Sequence, residues 1–289
     1  MNFVVFDLEW NIAGRVNKVD PAIQSAMPHE IIEIGAVKLD ENYNQISKYS
    51  VYIRPKLYPV LSGHIAAVTR RLQHSLKYGL SFPEAAREFF QWCGDDYMFC
   101  TWTESDTATL KMNLKFYGLD DQLVRCLDAQ YVFSEQIEKS DMQRSIEYAV
   151  DYLRLPKSQP FHQAVSDAWY TGLILREMAS ILRAEQPDGN FIERYAFDPN
   201  LNRSYQMTLD GLATVEAALA ALAGQNLTCP ACGLELLPRA AWTRSGNKAE
   251  AAFICPVHGP VFGRSRFKVH GQQLLQTSLM IRLDRDQER

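Results

Sequence analysis

The sequence predicts an α/β protein: a mixed five-stranded sheet with flanking helices, followed by a small β-rich C-terminal module. Three observations predict it. Apolar runs of strand length alternate with segments of helical spacing through residues 1–185. The connector Asp40-Glu41-Asn42-Tyr43-Asn44 is short and polar, as a hairpin requires, whereas later strands are separated by helix-length segments that suit crossovers. From Leu227 onward the texture changes to short β-like segments that carry Cys229, Cys232 and Cys255.

Each element has its own signal. Phe3 to Trp10 is an apolar run interrupted only by Asp7 and Glu9, and reads as a buried strand. Glu30 to Leu39 is a second apolar strand, and Gln45 to Arg54 a third that Pro55 and Pro59 end. Phe82 to Trp92 has helical spacing, with Ser81 and Glu84 placed as a capping box and Pro83 in the first turn. Tyr97 to Trp102 is a fourth strand, Asp106 to Tyr117 a helix stopped at Gly118, and Val124 to Asp128 a fifth strand. Asp141 to Leu153 and Ala164 to Arg183 read as helices. The turn-rich Gln186-Pro187-Asp188-Gly189-Asn190 marks a boundary, so the expected organisation is a domain at 1–185, a linker with a helix (Leu209 to Ala223) at 186–226, and the cysteine-bearing module with a charged tail at 227–289.

The chain has 289 residues, a hydrophobic fraction of 47% and a net charge of −4, so a sizeable core is available and any polyanion must be met by local patches. No stretch of about 18 apolar residues is present, and the first strand starts at once, so neither a membrane span nor a signal peptide is expected. Cys93, Cys100 and Cys126 are scattered in apolar surroundings. Scattered thiols beside one clustered set point to a reducing compartment, and a cytoplasmic location is expected.

The chemistry lies in the acidic residues. Side chains alternate along a strand, so Asp7 and Glu9 project from the same face. Two adjacent carboxylates at the end of a buried strand repel each other unless a cation compensates, and oxygen-only ligands select Mg²⁺ or Mn²⁺. Asp106, just past the fourth strand, would sit at a helix start, where the macrodipole favours an anion. Asp167 follows His162 by five positions, a spacing at which the two diverge by roughly 140° on a regular helix, leaving Asp167 for the metals and His162 for the substrate side. Phosphodiester hydrolysis needs an activated water and charge relief at the leaving oxygen, which two ions about 3.5–4 Å apart supply. Asp7 is the best placed to bridge them, with Glu9 and Asp167 completing one shell and Asp106 assisting the second through water. His162 is the expected general base. Glu33 reads as structural, a partner for a nearby Arg, and Trp102 as core.

Cys229-Pro230-Ala231-Cys232-Gly233 and Cys255-Pro256-Val257-His258-Gly259 are paired knuckles. Three thiolates and an imidazole suit a closed tetrahedral Zn²⁺ of structural type, with Gly233 and Gly259 permitting the tight turns. His270 lacks that spacing. Leu234 to Trp242 and Ala251 to Ile254 would be the strands of a zinc ribbon, turning at Arg244-Ser245-Gly246-Asn247.

Phe6-Asp7-Leu8-Glu9, His29-Glu30-Ile31-Ile32-Glu33-Ile34-Gly35-Ala36-Val37, Trp102 with Asp106, and His162 with Asp167 together resemble the DEDDh 3′–5′ exonucleases of the ribonuclease H-like superfamily. The resemblance covers about residues 1–185, with the three exonuclease motifs in order. Gln163, where the sister class carries Tyr, places the chain on the His side. Leu61 to Thr69, with Ile65 and Val68-Thr69, resembles the loop that approaches the 3′ end. The arrangement looks most like the enhanced-RNA-interference and histone-mRNA exonuclease branch, which includes the sporulation-inhibitor type. The resemblance implies stepwise hydrolysis of single-stranded RNA or DNA from its 3′ end, RNA favoured, to nucleoside 5′-monophosphates. It also implies that Leu8, Trp10, Asn11 and Ile65 line the substrate, with Asn11, where relatives often carry Thr, reaching the terminal sugar. The alternatives are a DNA-directed exonuclease and a non-catalytic nucleic-acid-binding adaptor.

From Cys229 onward nine basic residues face five acidic ones, a local excess of four positive charges in an acidic chain. Arg264-Ser265-Arg266-Phe267-Lys268 interleaves basic and aromatic residues, which reads either as a single-strand binding surface or as a solvated strand face. A protein partner for the ribbon stays open, and Arg70-Arg71 is a further candidate backbone contact.

Overall fold

The computed structural model describes residues 1–14, 17–69, 76–140, 142–185, 191–270 and 273–283. It divides into two units, Met1–Pro199 and Asn200–Arg289.

The first unit is built on a mixed sheet. Its strands are β1 (Asn2–Ile12), β2 (His29–Leu39), β3 (Gln45–Tyr52), β4 (Tyr97–Thr101), β5 (Cys126–Asp128) and β6 (Ala196–Phe197), in the order β3-β2-β1-β4-β5-β6. β1 runs antiparallel to β2 and parallel to β4, and β4 runs parallel to β5. The β2–β3 hairpin is tied by Asp40 Oδ1, which accepts from the amides of Asn42 (2.9 Å) and Asn44 (2.8 Å). The sheet has one strand more than expected, because Ala196 and Phe197 pair with Leu127 and Cys126.

The helices are α1 (Pro21–Ala26), α2 (Gly63–Thr69), α3 (Phe82–Cys93), α4 (Glu104–Phe116), α5 (Ala129–Val132), which passes into a π-helical turn over Phe133–Glu138, α6 (Ile146–Tyr152), α7 (Ala164–Glu185) and α8 (Phe191–Tyr195). The expected capping box forms at α3, with the Ser81 amide donating to Glu84 Oε2 at 3.0 Å. α4 starts two residues before Asp106, so Asp106 lies within its first turn. α6 starts at Ile146 under a Ser145 cap, and Asp141 lies outside the described residues. β5 is shorter than expected and ends where Asp128 caps α5 by accepting from the Tyr131 amide.

The period-2 alternation of β1 makes two cores, one on each face of the sheet. Val4, Phe6 and Leu8 pack with Phe82, Phe89, Phe99, Leu110 and Leu114. Phe3 and Val5 pack with Val37, Leu39, Tyr170, Ile174 and Met178. Asp7 and Glu9 continue the second row, so they end on the side of the sheet that α7 covers.

The second unit is an antiparallel sheet of β7 (Ser204–Leu209), β8 (Leu237–Ser245), β9 (Lys248–Cys255), β10 (Gly259–His270) and β11 (Gln273–Leu283), in the order β7-β11-β10-β9-β8. Its inner face packs on α9 (Val215–Ala223) through Val215, Ala218, Leu222, Phe267 and Leu279. The expected linker over 186–226 is therefore divided. α8 and β6 belong to the first unit, where Ile192 and Tyr195 are buried, and β7 and α9 belong to the second. An apolar stripe on α9 and an edge pairing for β7 give each a reason to dock rather than dangle. Residues 186–190 lie outside the described residues. Phe267 is 1% exposed and faces this core, so it does not share a surface with the basic residues beside it. No helix among the described residues is long and apolar enough to cross a membrane.

Candidate active site

Asp7, Glu9 and Asp167 each offer a carboxylate oxygen, and these oxygens lie within 4.8 Å of one another. The sheet register explains the convergence. Asp7 pairs with Gly35 and Glu9 with Glu33 across β1 and β2. A Cβ at Gly35 would lie 2.0 Å from the Val165 amide nitrogen and 2.2 Å from the Ala164 carbonyl carbon. The start of α7 thus rests directly on the β2 backbone beside Asp7, and Asp167 in its first turn is delivered to the same spot.

Asp106 arrives from the opposite layer. Its Oδ1 accepts from the Leu8 amide at 3.1 Å, across the end of β1. Asp106 is 5% exposed and lies outside the close trio. Burial raises Asp7 well above the carboxylate range, and the charges of Asp106, Asp167, Glu9 and Glu33 raise it further. Burial also lifts Asp106 to about 7 against the pull of the Leu8 amide bond. Asp167 reaches about 7 as well, chiefly through burial, with the His162 amide opposing and the Glu33 charge adding.

One polar atom indicates what the trio is fit to hold. Asp167 Oδ2 accepts from the His162 amide at 3.0 Å, whereas Asp167 Oδ1 is buried with no hydrogen-bond partner among the described residues. Mutually repelling carboxylates, one of them with an orphaned oxygen, fit a hard divalent cation. Glu33 belongs to this environment. It is 1% exposed and close enough to raise Asp7 and Asp167, so it is more than the structural partner of an Arg that its sequence context suggests. Counting the register back from the Asp40–Asn44 hairpin pairs it with Tyr52 on β3, so no local count finds it; its place opposite Glu9 comes from the pairing of β1 with β2.

His162 is outside α7, exposed, and held at φ 63°, the left-handed region that side chains other than Gly rarely adopt. Divergence around a helix is therefore not what separates it from Asp167. The Asp167 carboxylate folds back onto the His162 amide and fixes the turn that presents the imidazole.

The expected substrate contacts behave differently from one another. Trp10 is half-buried, with its ring 5.2 Å from that of His29. Ile65 is half-buried on α2 against Ile32, Leu61 and Leu76. Leu8 is 4% exposed, its side chain in the core and its amide engaged by Asp106, so it positions Asp106 rather than facing a ligand. Asn11 is fully buried. Its Nδ2 donates to the Tyr58 (2.7 Å) and Val60 (2.9 Å) carbonyls, and its Oδ1 accepts from the Ser62 amide (3.1 Å). It anchors the loop before α2 instead of reaching a sugar. Glu30 anchors the same loop by accepting from the amides of Lys56, Leu57 and Tyr58. Arg70 and Arg71 lie outside the described residues, as do the side chains of Val68 and Thr69. Trp102 is core, with Nε1 donating to the Arg144 carbonyl.

In the second unit, Cys229, Cys232, Cys255 and His258 offer donor atoms within 4.8 Å of one another. Cys229 Sγ is 3.6 Å and Cys255 Sγ 3.8 Å from His258 Nδ1, and Cys232 Sγ is 3.7 Å from Cys255 Sγ. These are edge lengths of a tetrahedron whose arms match a zinc–sulfur bond of about 2.3 Å. Both knuckle glycines adopt positive φ, Gly233 at 72° and Gly259 at 73°. Burial pushes the Cys229 thiol up to about 11, against the amides of Cys232 and Ala231. Burial also raises Cys255, but the amides of His258 and Val257 together with the side chains of His258 and Cys229 bring the thiol down to about 6. The turn therefore prepares a thiolate, as a ligand must be.

The RNase_T family model, described as Exonuclease, matches residues 4–175. No curated protein matches the chain. Among solved structures, cell-death related nuclease 4 superposes with a TM-score of 0.53 at 17% identity, over 62% of this chain and 64% of that one. This chain thus matches less than two thirds of that protein's length. The nuclease domain of 3′hExo, a DEDDh family member bound to rAMP, gives 0.54 at 16% identity, over 62% of this chain and 92% of that one. The Mg²⁺- and Mn²⁺-bound form of Pop2p from S. pombe gives 0.50 at 18% identity, over 67% and 87%. At these identities the structures speak for the fold, which is the ribonuclease H-like one, while the family match spans more than half of the sequence. By that match, carried by the same strands and helices that gather Asp7, Glu9, Asp106 and Asp167, the chain belongs to the RNase_T exonuclease family.

Proposed function

We propose that this protein is a divalent-metal-dependent 3′–5′ exonuclease that shortens single-stranded nucleic acid, RNA in preference to DNA, and releases nucleoside 5′-monophosphates. The observation that carries the reading is the convergence of Asp7, Glu9 and Asp167, with the Oδ1 of Asp167 orphaned among the described residues. The rAMP bound to the DEDDh relative and the Mg²⁺ and Mn²⁺ of Pop2p support the substrate and the metals.

Asp7, Glu9 and Asp167 would hold the cations, with Asp7 shared between two of them and Asp106 acting through water. Bound cations supply charge relief at the phosphate and a water of lowered pKa. The residues of this chain do the rest. His162 takes a proton from the attacking water as the oxygen joins phosphorus, and the bond to the 3′ oxygen of the preceding nucleotide breaks. That oxygen is then protonated from solvent. Trp10 and Ile65 would flank the terminal base. The Cys229–Cys232–Cys255–His258 set would hold one structural Zn²⁺, closed by four ligands and so without an open position for catalysis.

The test uses end-labelled single-stranded RNA and DNA with Mg²⁺ or Mn²⁺. Mononucleotides should accumulate from the 3′ end, faster from RNA. His162→Ala should lower kcat by about 10²–10⁴-fold while metal binding survives. His162→Gly should lose as much turnover yet melt at a higher temperature than His162→Ala, because glycine relieves a left-handed residue's strain of about 1–3 kcal/mol. Added imidazole should recover part of the Gly variant's activity. Unchanged kcat in both variants would remove His162 from the reaction.

Elemental analysis should find about one zinc per chain. Cys255→Ser should lose that zinc and melt the second unit at lower temperature, since binding free energy at such a site is folding free energy. Zinc retained at full occupancy in Cys255→Ser would refute the ligand set.

A further inference from the structure

Alternation along β9, β10 and β11 sorts their side chains cleanly. Ala249, Ala251, Cys255, Val261, Ser265, Phe267, Leu279, Ile281 and Leu283 are buried on the inner face. The opposite face carries Lys248, Arg264, Arg266, Lys268 and Arg282, with Glu250 as the one acid on these strands among the described residues. Phe262, 50% exposed, stands at one end of the β10 row. On this reading of the chain as a nuclease, we propose that the outward face of the second sheet binds the sugar–phosphate backbone of single-stranded nucleic acid, with Arg266, Lys268 and Lys248 as its principal cations.

Three observations argue for it. First, the cations are in register. Arg264, Arg266 and Lys268 recur every second residue on β10, so their Cα atoms step by about 7 Å, a repeat that an extended sugar–phosphate chain can follow. Second, Arg266 lies directly across from Lys248 in the β10–β9 ladder. Like charges directly opposite each other destabilise a sheet, and neither makes an ion pair among the described residues, so a bound polyanion would relieve the repulsion. Arg264, by contrast, is already held by Glu250 at 2.9 Å. Third, Phe262 projects from the same face and lines a depression with Glu250, Gly263, Arg264, Met280 and Arg282, in which Arg264 is the partner of Glu250. An exposed aromatic ring in a basic field offers a base something to stack on. An acidic peptide would also meet the charge, but the stacking ring and the regular spacing favour a nucleic acid.

The experiment uses full-length protein carrying Asp7→Asn, so that substrate is bound and not consumed, and a fluorescent single-stranded RNA of about 20 nucleotides. Anisotropy is read over a salt series. Replacing Lys248, Arg266 and Lys268 with Gln should weaken binding at least tenfold and flatten the salt slope by about 2, since each phosphate no longer neutralised removes roughly 0.7. Glu250→Gln, which frees Arg264, should tighten binding severalfold, a gain that damage to the fold would not produce. Phe262→Ala should weaken binding without changing the salt slope. In the active background, the triple variant should hydrolyse a dinucleotide at the parental rate but show a raised KM on the long RNA. If the parent hydrolyses neither substrate, the nuclease reading fails while the binding data still judge the surface. Parental affinity and slope in the triple variant, or a surface that takes acidic peptide and not RNA, would overturn the proposal.

Discussion

Asp7→Asn is expected to abolish turnover, by at least about 10³-fold or roughly 4 kcal/mol of barrier, and at the same time to stabilise the metal-free protein. Both effects follow from one position. Asp7 is half-buried among Asp106, Asp167, Glu9 and Glu33, each of which raises it. Removing its charge removes a ligand from the trio and also relieves repulsion inside the fold. The pH dependence has a definite sign. Asp106 and Asp167 titrate at about 7 in the folded metal-free protein, against 3.8 for a free aspartate. Between about pH 4 and 7 the folded site holds protons that the unfolded chain has released, so stability is greatest below that window. It falls as pH rises through it and levels off above. Thermal melts of metal-free parent should therefore show Tm falling from pH 5 to 7.5. Mg²⁺ or Mn²⁺ should reverse the fall, because a ligand that binds only the folded state stabilises it. In Asp7→Asn the slope should be shallower. A variant that turns over at the parental rate, or a parent whose metal-free Tm rises over this pH range, would show the site to be misassigned.

Gly35→Ala should be the most damaging single methyl group in the first unit. The added carbon would meet backbone atoms of Ala164 and Val165 at 2.2 and 2.0 Å, and backbone has no rotamer to yield. Overpacking of a flexible neighbour costs about 1–3 kcal/mol. Here the upper end or more is expected, roughly 6–12 °C of Tm for a unit of this size. The survivors should also be poor enzymes, because relief requires α7 to lift from the sheet and Asp167 with it, and a displacement near 1 Å costs on the order of 10²-fold. Gly172, also on α7, is the useful control. A Cβ there meets only the Val37 and Leu39 side chains at 3.2–3.6 Å, so Gly172→Ala should be mild by comparison. Equal melting and equal activity for Gly35→Ala and parent would deny that the helix–strand contact sets the site.

Alternation and helical spacing are local, so β1 to β4, α3 and α7 are legible in the chain, as is the chemistry of the acidic set. The two-residue β6 and the docking of β7 and α9 carry no strong local signal, because their stability comes from a partner strand or core far away in sequence. Asn11 shows the same limit at the site. A polar residue at the mouth of an acidic strand resembles a ligand contact until the Tyr58, Val60 and Ser62 backbone groups that consume its amide are in place. Phe267 differs from its sequence reading by one parity. Its burial follows at once when the strand's inner face is known.

The sequence by itself determined which donors exist and how they are spaced locally: the carboxylates at strand and helix ends, and the two Cys/His knuckles with their glycines. Tertiary structure alone decided which donors meet. The pairing of Asp7 with Gly35 admits α7, the fold-back of Asp167 sets His162, and the register of β2 brings Glu33 to the same place. Such meetings depend on contacts between segments many residues apart, and no local pattern encodes a distance across a sheet.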